Sequence, residues 1–211
     1  MRLIWDWNGT LLDDNHASVN ALNTILARRH LNRISLGYYR QNFAFPVRGF
    51  YEKVGVRLEC EDWDSLAQEY HDAYHASELQ LAYDAKVALE LAKSLGFSQS
   101  VVSALREDYL LSDMDKFGIC GYFDAIFGTG NLDGCSKLSR MHDCAARFPN
   151  DRYIVIGDSI HDYEAATSIG AKCVLFSGGS HASARLEPYA PVAATLVEAV
   201  QCAYDIITKV K

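Results

Sequence analysis

The chain has 211 residues, 49% hydrophobic and 22% charged, with 14 Gly and 4 Pro, which excludes collagenous, repeat and disordered chains and leaves room for one α/β domain plus an insertion. Lys and Arg number 20 against 27 Asp and Glu, and a formal net charge of -7 argues against nucleic acid or an anionic membrane surface as partner. The six cysteines (Cys60, Cys120, Cys135, Cys144, Cys173, Cys202) form no CxxC pair, Met-Arg-Leu-Ile-Trp-Asp meets an acid too early for a signal-peptide core, and no apolar run spans a bilayer, so a cytoplasmic protein with free thiols is expected.

Leu3-Ile4-Trp5, stopped by Asp6 and turned through Asn8-Gly9, reads as a buried strand running into a loop. After Asp13-Asp14-Asn15 the period becomes helical, with Val19, Leu22, Ile25 and Leu26 on one face, Asn15 or Ser18 as cap, and an end near Arg33. The stretch 37–55 is aromatic and irregular, because Pro46 and Gly49 interrupt any helix longer than 47–54. A helix over 62–78, capped by Asp62 or Asp64, turns Leu66, Tyr70 and Tyr74 inward, and no strand-like alternation is expected between about residues 15 and 81. Then the period changes. A helix over 84–95 stopped by Gly96 precedes a strand through Val101 and Val102 to Ser103. Helix 106–117, strand 125–127, helix 136–148, strand 153–156, helix 164–169, strand 173–176 and a terminal helix 193–207 follow in turn.

Strands alternating with helices over short connections call for a doubly wound parallel sheet with helices on both faces. The expected division is an α/β core from 1–14 and 82–211, with an all-helical domain, 15–81, inserted after the first strand. Ligands of such sheets bind beyond the carboxyl ends of the strands. There the apolar runs end in Asp6, Ser103 and Asp158, with Lys137 just past the third strand. Two carboxylates, a hydroxyl and a lysine suit a magnesium ion and a phosphoryl group, since magnesium takes hard oxygen ligands and the lysine and turn N–H groups take phosphate oxygens.

The motifs DWNGTLLDD from Asp6 to Asp14, SVVSAL around Ser103, GCSKLSR around Lys137 and GDSIHD from Gly157 to Asp162 stand in that order at strand ends. In this the chain resembles the haloacid dehalogenase-like (HAD) hydrolases, in the phosphoglycolate-phosphatase-like branch with a helical cap. The resemblance implies magnesium-dependent hydrolysis of a small phosphate ester, in which Asp6 attacks phosphorus and forms an aspartyl-phosphate that water then cleaves. It implies that Asp6, Asp158 and the backbone carbonyl of Asn8 hold the magnesium, with Asp162 supporting them from behind. Gly9, Thr10, Ser103, Ala104 and Lys137 would bind the phosphoryl oxygens. The FPVRGFYEKVG segment resembles a cap loop, from which Arg48 and Tyr51 would reach the substrate.

One position departs from the family's phosphatase pattern: Asn8 stands where an Asp serves as general acid and base. An amide does not exchange a proton near neutral pH, so a contribution of about 10²–10⁴-fold, roughly 3–5 kcal/mol, is missing or supplied elsewhere. His16 and His161 are candidate substitutes. The alternative is a catalytically weak protein that binds a phosphorylated ligand or partner. A phosphonate-cleaving enzyme using Lys53, or a dehalogenase, fits the residues less well.

Overall fold

A computed structural model of the chain describes residues 1–130 and 137–208, so Cys135 and the expected helix start at Ser136 lie outside the described residues. β1 (Arg2–Trp5) ends at Asp6 and is followed by β2 (Leu12–Asp13), α1 (Asn15–Arg28), α2 (Leu36–Asn42), α3 (Val47–Lys53), α4 (Trp63–His75) and β3 (Gln80–Leu81). α5 (Ala85–Ser94), β4 (Ser98–Arg106), α6 (Glu107–Lys116), β5 (Ala125–Thr129), α7 (Lys137–Arg147) and β6 (Tyr153–Gly157) come next. α8 (Ile160–Ser168), β7 (Lys172–Phe176), α9 (Ser183–Leu186), β8 (Val192–Ala193) and α10 (Leu196–Thr208) complete it.

The main sheet has six parallel strands in the order β5-β4-β1-β6-β7-β8. The chain winds outward from β1 through β4 to β5, then crosses back to lay β6, β7 and β8 on the other side. The winding direction therefore reverses between β1 and β6, and a crevice opens at their carboxyl ends. Trp5 lies beside Ile156, and the Asp6 N–H donates to the Ile156 carbonyl at 2.9 Å, which brings Asp6 next to Gly157 and Asp158.

The two-residue period of β1 divides the core. Leu3 and Trp5 pack with Leu89 of α5, Leu110 and Met114 of α6 and Val200 of α10. Ile4 faces the other way, onto Met141 of α7, Ala165 of α8 and Leu186 of α9. Both faces are thus covered, as the expected parallel sheet requires. α1–α4 gather a third apolar cluster of their own, including Leu22, Ile25, Leu26, Phe50 and Leu66. No helix of the described residues is long and apolar enough to cross a membrane.

Local chemistry explains where elements depart from expectation. α1 stops at Arg28, short of Arg33, because His30 turns left-handed at φ 56° and the Asn23 amide both accepts from the Ile34 N–H (2.8 Å) and donates to its carbonyl (3.0 Å). α2 arises inside the stretch expected to be irregular, its start capped by the Ser35 hydroxyl, which accepts from the Tyr38 N–H. β3 falls where no strand was expected and pairs antiparallel with β2. β4 continues past Ser103 to Arg106 through a register shift after Val102. α8 begins at Ile160, four residues before its expected start, because Ser159 and Asp162 form a capping box.

Candidate active site

Asp6, Asp158 and Asp162 converge at the β1/β6 crevice, with one ligand atom from each lying within 4.8 Å of the others. All three are buried. The Thr10 hydroxyl lies 3.1 Å from Asp6 Oδ2 and 3.2 Å from Asp158 Oδ1, linking the two carboxylates. Asp158 Oδ2 accepts from the Ser180 N–H, and a Cβ at either Gly9 (φ 76°) or Gly179 would collide with this carboxylate, so both glycines are required by its close approach. Asp162 Oδ2 accepts from the Ser159 N–H (2.9 Å), the Ser159 hydroxyl (2.6 Å) and the Asp158 N–H (3.1 Å). Lys137, at the start of α7, donates through Nζ to both Asp6 and Asp162.

Three buried carboxylates against one ammonium leave the cluster short of positive charge. Burial pushes Asp6 well above the usual carboxylate range, against the pull of Lys137 and with added repulsion from Asp162 and Asp158. Burial followed by repulsion from Asp162 raises Asp158 to about 6. For Asp162 burial acts upward too, but the charge and hydrogen bond of Lys137 and the bond from Ser159 outweigh it and hold the carboxyl low. Burial likewise opposes the Lys137 ammonium, yet Asp162 and Asp6 keep its pKa above the ordinary lysine value. A small divalent cation answers this imbalance, and the all-oxygen donor set suits magnesium. Asp6 and Asp158 each have one oxygen contacted only by the shared Thr10 hydroxyl and so best placed for it, whereas those of Asp162 are taken by Lys137 and by three donors at the start of α8.

A cavity of about 190 Å³ lies over the cluster, with Asp6, Asn8, Ser103, Ala104, Lys137 and Asp158 at its base and side chains of α1–α4 above. Ser103 Oγ accepts from the Leu105 N–H at 3.0 Å. The Gly9 N–H donates to Asp14 Oδ1 (2.7 Å) and the Leu12 carbonyl (3.0 Å), and the Thr10 N–H goes to the Trp7 carbonyl (3.2 Å). The expected anion cradle at those two residues is therefore spent on folding the turn and on holding the carboxylates.

The family model described as haloacid dehalogenase-like hydrolase matches residues 3–176. The chain belongs to that family. Over 187 residues it is 29% identical to the phosphoglycolate phosphatase of Aquifex aeolicus, covering 82% of this chain and 83% of the relative. It is 27% identical to the phosphoglycolate phosphatase of Caulobacter vibrioides over 188 residues, covering 84% and 79%. The fold matches the crystal structure of a haloacid dehalogenase-like protein of unknown function from Agrobacterium tumefaciens, with a TM-score of 0.80, 20% identity and 98% of each chain covered.

In this HAD-family chain the Asn8 Nδ2 group donates to Asp14 Oδ2 (2.8 Å) and to the Tyr74 hydroxyl (3.0 Å), which itself donates to Asp14 (2.7 Å). Asp14 is buried, and burial raises its pKa to about 6 despite the bonds from Tyr74, Asn8 and Gly9. Sequence reasoning missed this residue. Its only signal is the second acid of the Asp13-Asp14 pair; it precedes α1 but makes no capping bond there, because its carboxylate faces the Asn8-Gly9 turn.

The remaining candidates separate clearly. His161 lines the cavity, its ring stacked on Phe45 at 4.7 Å, and burial holds its pKa low, so the ring is neutral at pH 7. His16 and Lys53 are exposed and do not line the cavity. Arg48 is also exposed, its guanidinium 4.2 Å above the Trp63 ring, and stays outside the lining. Tyr51 is buried and lines the cavity, edge-on to Trp63 at 5.8 Å.

Proposed function

We propose that this hydrolase is a magnesium-dependent phosphatase that cleaves a small phosphate monoester through an aspartyl-phosphate on Asp6. The observation that carries the reading is the placement of Asp6 at the reversal point of the sheet, in one cluster with Asp158 and Lys137 and facing a cavity. The phosphoglycolate phosphatases among its relatives support the same reaction class.

In this reading Asp6 attacks phosphorus in line, the ester oxygen departs, and water returns Asp6 to a carboxylate with release of phosphate. Magnesium, held by Asp6, Asp158 and the Asn8 carbonyl, would offset the charge between nucleophile and phosphoryl group. Asp162 positions Lys137, and Lys137 with Ser103 and the Ala104 backbone takes the phosphoryl oxygens. Residues 15–81 act as a cap over the 1–14 and 82–211 core, excluding water and selecting the leaving group. Asn8 contributes hydrogen bonding only, so the phosphoenzyme forms and breaks without the family's proton carrier at that position.

The test is phosphate release from a panel of monoesters with magnesium, with chelator, and with Asp6→Asn. Turnover abolished by both treatments supports the reading. Loss of neither overturns it. The engaged amide of Asn8 favours one second reading, a protein that binds a phosphorylated ligand without turning it over, and silence across the whole panel would support that instead.

A further inference from the structure

The part of the cavity formed by α2–α4 is built largely of rings. Tyr39, Phe43, Phe50, Tyr51, Trp63 and Tyr70 all line it. Tyr39 stacks on Phe43 at 4.7 Å, Phe50 meets Phe43 edge-on at 5.3 Å, and Tyr51 meets Trp63 edge-on at 5.8 Å. Aromatic walls in such edge and stacked arrangements present both ring faces and ring edges to a guest, the geometry in which another ring gains most.

Charge is scarce there. Among the described lining residues the cations are Lys137 and Arg106. Lys137 is engaged by Asp6 and Asp162, and Arg106 forms a two-pronged pair with Asp108 (2.6 and 2.8 Å) while lying over the Tyr109 ring. Arg48, expected to reach the substrate, is outside the lining. A second anion on the leaving group would lose its water and gain no partner.

Asn8 narrows the choice further, because a leaving oxygen that receives no proton must be a stable anion. Phenols ionise near pKa about 10, whereas an aliphatic alcohol lies near water, at about 16, so only the former leaves readily unassisted.

We infer that the substrate is an aromatic phosphate monoester, with an uncharged phenol-type leaving group seated in the Tyr39-Phe43-Phe50-Tyr51-Trp63-Tyr70 chamber. This rests on the phosphatase reading above. An Asp6 oxygen forms a new bond to phosphorus as the bond to the phenol oxygen breaks, and the electron pair departs as phenoxide, which takes a proton from water. A water then attacks the phosphoenzyme, freeing inorganic phosphate and the Asp6 carboxylate, so ester plus water gives phenol plus phosphate. The cavity of about 190 Å³ is of a size to take a single ring system.

The test uses the native chain with magnesium on phenyl phosphate, cyclohexyl phosphate and phosphoglycolate. Phenyl phosphate is expected to exceed phosphoglycolate by about 100-fold in kcat/KM, and cyclohexyl phosphate to share its KM within about threefold but fall about 100-fold in kcat. Phosphoglycolate matching or exceeding phenyl phosphate in an active enzyme overturns the inference. If no ester turns over, the phosphatase reading has failed, and calorimetry with phenylphosphonate and phosphonoacetate judges the chamber alone. Tighter phenylphosphonate sustains ring selectivity; equal or tighter phosphonoacetate ends it. Ala67→Leu, which fills the chamber from α4, should raise KM for phenyl phosphate about tenfold and for acetyl phosphate much less. Equal effects on both count against the chamber, and if that variant does not fold, the native panel still decides.

Discussion

The side chain of Asn8 donates to Asp14 at 2.8 Å, and this contact makes the two residues a complementary pair. Asn8→Asp would set a second carboxylate against the first in a buried turn. Like charges so placed must share a proton, so Asn8→Asp is expected to lose about 1–3 kcal/mol of stability at pH 7, with the loss shrinking below pH 6. Turnover of an alkyl ester should improve little. The exchange Asn8→Asp with Asp14→Asn restores donor and acceptor in reversed order, and should raise alkyl-ester turnover by about 10²–10⁴-fold over the single variant. Chemical denaturation and phosphate release on the two variants check this; equal rates would break the coupling.

The buried acids and the buried histidines pull the pH dependence in opposite directions. Asp14 and Asp158 titrate in the folded chain at about 6, raised from an ordinary 3.8, chiefly by burial. Between those values the folded chain keeps protons that the unfolded chain has released, so the contribution of these two acids to stability falls as pH rises from about 4 to 6. Each accounts for about 3 kcal/mol at most. His71 and His181, lowered to about 4 chiefly by burial, act in the opposite sense over the same window, so the acid contribution is read by difference. The urea midpoint of Asp14→Asn minus that of the native chain, both in chelator, should rise from pH 4 to 6. A difference that stays flat over that range contradicts the assignment.

Much of this was legible in the chain because each apolar run of the core stops at a polar residue: Asp6, Asp158 and Lys137 meet where strand order alone would send them. The α/β alternation likewise gave the parallel sheet. What stayed hidden depends on contacts distant in sequence. Asp14 reads as part of a helix entry until Tyr74, 60 residues on, is brought against it. The Gly9 and Thr10 amides look available to an anion until Asp14 and Trp7 are seen to accept them. Arg48 carries the right charge but sits on a helix whose other side, bearing Phe50 and Tyr51, is the buried one. The two-residue strand β3 is too short for alternation to register, and exists only through β2.

Lys137 is the lone ammonium bridging Asp6 and Asp162, both buried. Removing one partner of such a group leaves uncompensated charge in the interior, so Lys137→Met should cost about 3–5 kcal/mol, or about 10 °C in Tm for a chain of this size. Magnesium should recover part of that loss, because it supplies positive charge to Asp6. A thermal melt within about 2 °C of the native chain, with and without magnesium, would mean that the pair is energetically neutral.

The roof of the cavity is tied to the carboxylate end of the core by a strap of arginine bonds to backbone carbonyls. Arg185 donates to the carbonyls of Arg40 (3.0 Å) and Phe43 (2.9 Å), and Arg40 in turn donates to the Gly178 carbonyl at 2.5 Å. Gly178 stands two residues before Ser180, whose N–H holds Asp158, so closure of the α2 segment and the position of that carboxylate share one loop. Truncation by Arg185→Ala leaves the apolar clusters of both regions and the Arg40 bond to Gly178 intact while removing the two Arg185 bonds of the strap. KM should rise about five- to tenfold and kcat fall, because a cap that opens more often admits water and misplaces Asp158. Amide exchange across residues 36–46 should quicken while Tm moves by less than about 3 °C. Unchanged exchange together with an unchanged KM would show that the α2 segment is held without Arg185, by the Arg40 bonds and by its aromatic contacts with His161 and His181.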